Sequence, residues 1–208
     1  MTVALTAADL RYAVAERTIL SGISVEVRSG RVLAVRGPSG SGKSSLLAIL
    51  GGLIAPSSGT VTLDGEHVGP DSELALRRRF ALVLQGYGLV AALTAHENVA
   101  VVLQAAGVPR AEVTARVEAV LEQVGLGTVA EHLIEDLSGG QQQRVAVARA
   151  LVTAADVFLA DEPTAQLDAE NRELIVSLLI ERARAGAAVV IASHDPEVVD
   201  ACDDLLDL

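Results

Sequence analysis

One octapeptide constrains this chain more than any other feature. Gly37-Pro38-Ser39-Gly40-Ser41-Gly42-Lys43-Ser44 fits G-x-x-x-x-G-K-[ST] at every fixed position. The short apolar run Val32–Val35 precedes it, and Leu46–Leu50 reads as the start of a helix behind it. A loop of this kind works where a buried strand delivers it and a helix begins as it ends. Its glycines let the backbone curl so that successive N–H groups face phosphate oxygens. The helix that follows adds its positive dipole end. Lys43 sets a cation beside the β- and γ-phosphates, and the Ser44 hydroxyl suits Mg²⁺. Ser45 carries the polar run into the helix.

The rest of the chain reads as an α/β protein. Ile19, Ile23, Val25 and Val27 lie in a strand-like N-terminal region that ends in the turn Ser29-Gly30. Thr60–Leu63 and Phe80–Leu84 read as further strands, and Val157–Ala160 and Ala188–Ala192 as strands buried on both faces. Helical patterning covers about His96 to Glu135, where Val113, Val117, Val120, Leu121 and Val124 share one face, and returns over Gln141–Val152 and Ala169–Ala185. Strand and helix alternate at both ends with a helical insert between, which argues a mainly parallel sheet. The mean hydropathy of +0.42 raises the question of a membrane span. No apolar run approaches the roughly 18–20 residues that a spanning helix needs.

Two further segments carry chemistry. Val157–Ala160 ends in Asp161 and Glu162, a carboxylate pair that the strand period sends to opposite faces. In a sheet that also bears the phosphate loop, one can hold Mg²⁺ and the other can polarise an attacking water. Upstream stands Leu137-Ser138-Gly139-Gly140-Gln141. Ser138 is a good N-cap, the glycines allow close backbone approach, and the helix from Gln141 points its positive end outward, as a second phosphate site requires.

With this string the chain resembles the ATP-binding cassette (ABC) ATPases, whose signature is LSGGQ. The resemblance covers almost the entire chain, and further positions match it in order. Gln85 after Phe80–Leu84 matches the Q-loop, Ala165-Gln166-Leu167-Asp168 the D-loop with Asp168 as its acid, and His194 the switch histidine. Tyr12 matches the aromatic that stacks on adenine. The resemblance implies a RecA-like P-loop NTPase core with an N-terminal antiparallel β subdomain and an inserted α-helical subdomain. Residues 1–208 would form one ATPase domain, with 1–85 and 139–208 as core and β subdomain and about 86–138 as the helical part. It implies ATP and Mg²⁺ as cofactors, with Ser44, Gln85 and Asp161 at the metal and Glu162, Gln85 and His194 in catalysis. It also implies a head-to-tail pair of copies, in which Ser138, Gly139, Gly140 and Gln141 of one close over the ATP held by residues 37–45 of the other.

Within the family, Ser44-Ser45-Leu46-Leu47, Gly51-Gly52-Leu53, Leu93–Val99, Gln141–Leu151 and Asp161-Glu162-Pro163-Thr164 resemble the lipoprotein-releasing and macrolide-exporting branch, the LolD-like and MacB-like ATPases. Members of that branch work on integral membrane permease subunits, so the chain is expected at the inner, cytoplasmic face of the membrane. There are departures. Ala165 stands where the branch usually has glycine, and Gly86-Tyr87-Gly88 makes the segment after Gln85 glycine-rich. The chain stops soon after His194, at Asp203–Leu208, where family members usually continue through a glycine turn into another strand.

Other classes fit less well. The net charge of −11 gives no footprint for nucleic acid, and the four aromatic residues form no stacking platform. The stretch from Gln85 to Ser138 is too short for the coiled coil of chromosome-organising ATPases. A single cassette disfavours a tandem translation factor, and a P-loop kinase leaves the LSGGQ string unexplained. A regulatory ATPase that gates cell-wall or antibiotic-response activity without moving cargo uses the same nucleotide chemistry and stays open as the alternative. Cys202 is the single cysteine, so no internal disulfide forms, and a reducing compartment is the simpler expectation.

Overall fold

The computed structural model describes residues 4–208. Two long strands, β1 (Ala4–Val14) and β2 (Arg17–Arg28), open the chain as an antiparallel hairpin. Then come β3 (Val32–Arg36), α1 (Lys43–Leu50), β4 (Ser58–Leu63), β5 (Glu66–His67), α2 (Leu74–Arg77) and β6 (Phe80–Val83). Helices α3 (Ala95–Ala105), α4 (Arg110–Gln123) and α5 (Gly139–Leu151) follow. The chain ends with β7 (Val157–Asp161), α6 (Ala169–Arg184), β8 (Ala188–Ala192), α7 (Pro196–Asp200) and β9 (Asp204–Asp207).

These elements form two compact units. The first takes residues up to Leu82, Ala155–Glu162 and Leu179–Leu208; the second takes Val83–Ala154 and Pro163–Leu178. The expected helical stretch of 86–138 is one part of the second unit, which also holds α5 and the start of α6.

The first unit contains two sheets. One is antiparallel, in the order β2-β1-β4-β5, and the other runs β6-β7-β8-β3-β9, with β7, β8, β3 and β9 paired in parallel. Every residue of β7 and β8 is buried, as continuous apolar runs require of central parallel strands. One hydrophobic cluster joins both sheets through α1. Leu5, Leu10, Leu20 and Leu63 meet Leu46, Leu50, Leu159 and Val190 in it. In the second unit α3, α4 and α5 pack together. The predicted stripe is fully used: Val113, Val117, Val120, Leu121 and Val124 are all buried. Helical patterning does not run unbroken to Glu135. Gly107 (φ 81°) and Pro109 separate α3 from α4, and two short 3₁₀ turns follow, at Gly127–Val129 and Ile134–Asp136.

The last residues form a strand that periodicity does not reveal. β9 pairs with β3 and closes that sheet edge. Its hold is charge as well as ladder: Arg31 reaches Asp204 at 2.6 and 2.8 Å, and Arg36 reaches Asp207 at 2.7 and 2.9 Å. The Asp203 carboxylate accepts the Val32 N–H at 2.8 Å. A short segment of acids and leucines becomes the edge strand because its neighbour β3 is flanked by two arginines that pair with its acids.

Candidate active site

Helix α1 begins at Lys43, three residues earlier than the apolar pattern suggests, so the phosphate loop runs directly into its first turn. Gly42 precedes it at φ 104°, where an L side chain is strained. A Cβ there would also come within 2.9 Å of Leu20 Cδ2 and 3.2 Å of the Ile19 carbonyl, so β2 presses on the loop. The helix start carries neither a side-chain cap nor an acid in its first turn, which leaves its N–H groups for an anion. Lys43 is buried and turns back on the loop, donating to the carbonyls of Gly37 at 2.8 Å and Pro38 at 3.2 Å. The Ser41 hydroxyl is buried without a partner. Gly40, Pro38, Ser39 and Ser44 are exposed at the loop rim, and Ser45 is half-buried. Tyr12 is half-buried on the same core and pairs across the hairpin with Leu20, the residue that contacts Gly42. The aromatic ring therefore stands one strand away from the loop.

Asp161 ends β7 beside this loop. It is 5% exposed, and its Oδ1 has no hydrogen-bond partner. Burial pushes the carboxyl above the ordinary carboxylate range; the Ser44 hydroxyl bonded to it lowers it, the neighbouring Glu162 charge raises it, and the Lys43 charge lowers it. A buried carboxylate oxygen without a partner, next to a serine hydroxyl, is a hard oxygen donor set of the type Mg²⁺ takes. The residues fit that ion.

Glu162 leaves the strand geometry. Its φ is +48°, so the alternation that was to separate the two acids does not set its direction. Instead its N–H is tied to the Ala192 carbonyl at 2.9 Å, at the end of the neighbouring strand. Its side chain is 12% exposed, and Oε1 lies 2.8 Å from Nδ1 of His194, which is 74% exposed. The buried Ser193 hydroxyl lies 3.4 Å from Oε2. Parallel strands β7 and β8 end side by side, and this register brings a base and a histidine together across 32 residues of sequence. The left-handed backbone at Glu162 is strain of the sort that collects at working sites.

In the second unit, Ser138 caps α5 with a full capping box: its hydroxyl accepts from Gln141 N at 3.3 Å, and the Gln141 side chain accepts from Ser138 N at 2.8 Å. Gly139 and Gly140 form the first turn behind it. Asp168 faces the same cavity, of about 340 Å³, which Ser138, Gly139, Gly140, Gln141, Gln166 and Asn171 also line. Hydrogen bonds from the Asn171 backbone and side chain hold the Asp168 carboxyl below its ordinary range, at 2.8 to 3.0 Å. The branch departure at Ala165 moves no backbone strain onto that residue; the positive φ of this turn, 63°, falls on Gln166. Gln85 lies just past β6 and is exposed. The three residues after it, Gly86, Tyr87 and Gly88, all have positive φ. Arg149 of α5 donates to the carbonyls of Tyr87 at 2.7 Å and Gly88 at 2.5 Å and holds that turn. Ser193, Asn171 and Arg149 are partners that motif spacing does not single out. Only for Ser193 was there a signal, its place between a buried strand and His194.

A family model described as ABC transporter matches residues 20–165. The chain belongs to the ABC transporter family. Among its relatives, the macrolide export ATP-binding/permease protein MacB of Brucella melitensis is 43% identical over 91% of this chain and 30% of its own length. The methionine import ATP-binding protein MetN 2 of Paraburkholderia xenovorans is 42% identical over 88% of this chain and 49% of its own. The chain thus spans half or less of either relative. Among solved structures, the dimeric post-hydrolysis state of the ATP-binding cassette MJ0796 bound to ADP and Pi superposes with a TM-score of 0.90. It is 32% identical and covers 98% of this chain and 94% of that one. The α/β architecture is that of an ABC ATPase cassette. Among the described residues no helix of this cassette is long and apolar enough to cross a membrane.

Proposed function

We propose that this cassette is the ATP-hydrolysing subunit of a membrane transporter of the macrolide-export and lipoprotein-release type, working as a head-to-tail pair of copies. The observation that carries the ATPase reading is the Glu162–His194 pair beside the phosphate loop. Lys43 and the loop N–H groups would exchange the loop's own carbonyls for the β- and γ-phosphates. Ser44 and Asp161 would hold Mg²⁺, with Gln85 as the further ligand that the family resemblance assigns; bound there, the ion neutralises charge developing on the phosphate oxygens. Glu162, aligned by His194 and Ser193, accepts a proton from the attacking water. Ser138, Gly139 and Gly140 of the second copy close on the γ-phosphate. Tyr12 stacks on the adenine.

The branch assignment is supported by the strings around Ser44, Leu93 and Gln141 and by the similarity to MacB. The proposed partners are a second copy and integral membrane permease subunits, which hold the chain at the inner face of the membrane. Glu162→Gln tests the mechanism. It removes a general base worth about 10²–10⁴ in rate, so hydrolysis nearly disappears while ATP binding persists and a stable dimer accumulates on a sizing column. Near-normal turnover would sink the assigned role of Glu162. Co-purification from native membranes identifies the permease and so decides between export and a regulatory ATPase.

A further inference from the structure

The cavity at the start of α5 holds a residue to which the D-loop match gives no role of its own. Gln166 sits in a left-handed backbone conformation, φ 63°, and its side chain is turned onto the first turn of α5. A Cβ added at Gly139 would overlap Gln166 Oε1, and one at Gly140 would come within 3.1 Å of the Gln166 carbonyl. The same point above Gly139 lies 3.7 Å from the Tyr87 hydroxyl. The first N–H groups of a helix have no intrahelical partners, and the capping box satisfies those of Ser138 and Gln141 but not those of Gly139 and Gly140. An amide oxygen set over this turn therefore stands where the helix favours negative charge. Non-glycine residues hold positive φ at a cost, and here the cost goes with a side chain aimed into the cavity.

We infer that Gln166 is a positioning residue whose carboxamide oxygen occupies the seat of the γ-phosphate in the signature turn. It must swing out before the ATP of a second copy can enter, so it sets the ATP concentration at which two copies pair. This rests on the head-to-tail reading above. The swing exchanges one amide contact for a phosphate contact and involves no covalent step.

The test uses the Glu162→Gln background, in which hydrolysis does not drain the dimer. In that background Gln166→Ala removes the carboxamide, and Gln166→Asn withdraws it by one methylene while keeping a residue that tolerates positive φ. Both are expected to lower the ATP concentration for half-maximal dimerisation, by on the order of threefold to tenfold for the loss of one hydrogen-bond-sized contact. Gln166→Glu, which fixes a negative charge against the incoming phosphate, is expected to raise it. Binding of a fluorescent ATP analogue to the monomer stays unchanged in all three. A variant that was merely damaged would pair less readily, so tighter pairing separates displacement from structural support. Unchanged or weakened pairing in both Gln166→Ala and Gln166→Asn overturns the inference. If the Glu162→Gln parent forms no ATP-dependent dimer, the head-to-tail reading fails first, and the Gln166 inference fails with it.

Discussion

Asp161 makes a quantitative prediction because its burial is costly without a cation. The carboxyl is 5% exposed, one oxygen has no partner, and the cost of burial, with repulsion from Glu162 added, outweighs what Ser44 and Lys43 return. A buried polar group without a partner costs about 1–3 kcal/mol, more if charged, and the Lys43 attraction returns part of it. Asp161→Asn keeps the shape and removes the charge, so the nucleotide-free protein should gain about 1–2 kcal/mol at neutral pH. For a chain of this size that is a rise of about 2–8 °C in melting temperature. The pH dependence follows from the raised carboxyl. The folded protein holds this proton more tightly than the unfolded chain. The group's contribution to stability is therefore fully present below the ordinary value near 3.8 and is lost as pH rises through the higher folded value. The advantage of the variant must then shrink as pH falls toward 4 and reach its full size above the folded value. Differential scanning fluorimetry in EDTA from pH 4 to pH 8 measures it. With MgATP the order should invert, because the wild type gains ligand stabilisation that the asparagine forfeits. A variant that melts at or below the wild type in EDTA at pH 7.5, or a gap independent of pH, would refute the reasoning.

Two other outcomes follow from local geometry. Gly42→Ala meets both a positive φ and the Leu20 and Ile19 atoms, whereas Gly30→Ala meets a positive φ of 83° and open space. The first should cost about 2–3 kcal/mol and the second about 1 kcal/mol, compared by urea denaturation; equal losses would show that β2 does not press on the loop. Burial raises the Cys202 thiol to about 11, and its S–H donates to the Val198 carbonyl at 3.2 Å. Iodoacetamide at pH 8 should alkylate the folded protein roughly a hundredfold more slowly than the urea-unfolded chain, with mass spectrometry as the readout, and equal rates would contradict the raised value of this half-buried thiol.

The sequence by itself determined the elements whose causes are short in range. An apolar run flanked by glycines must be a buried strand feeding a phosphate loop, and β3 and α1 are that strand and helix. A serine followed at three residues by glutamine must cap a helix, and Ser138 with Gln141 does so. The valine stripe of α4 is buried as its spacing demands. Only the tertiary structure decided what depends on strangers in sequence. β9 is a strand because Arg31 and Arg36 stand at the two ends of the strand it joins, and its own short run of acids and leucines carries no such sign. Glu162 faces His194 because β7 and β8 end in register and because its backbone turns left-handed, which a side-chain pattern cannot express. Gln166 reaches Gly139 by the same kind of backbone choice. Periodicity and capping are written in neighbouring residues. Strand register and left-handed turns are settled by atoms that meet only after the chain has closed on itself.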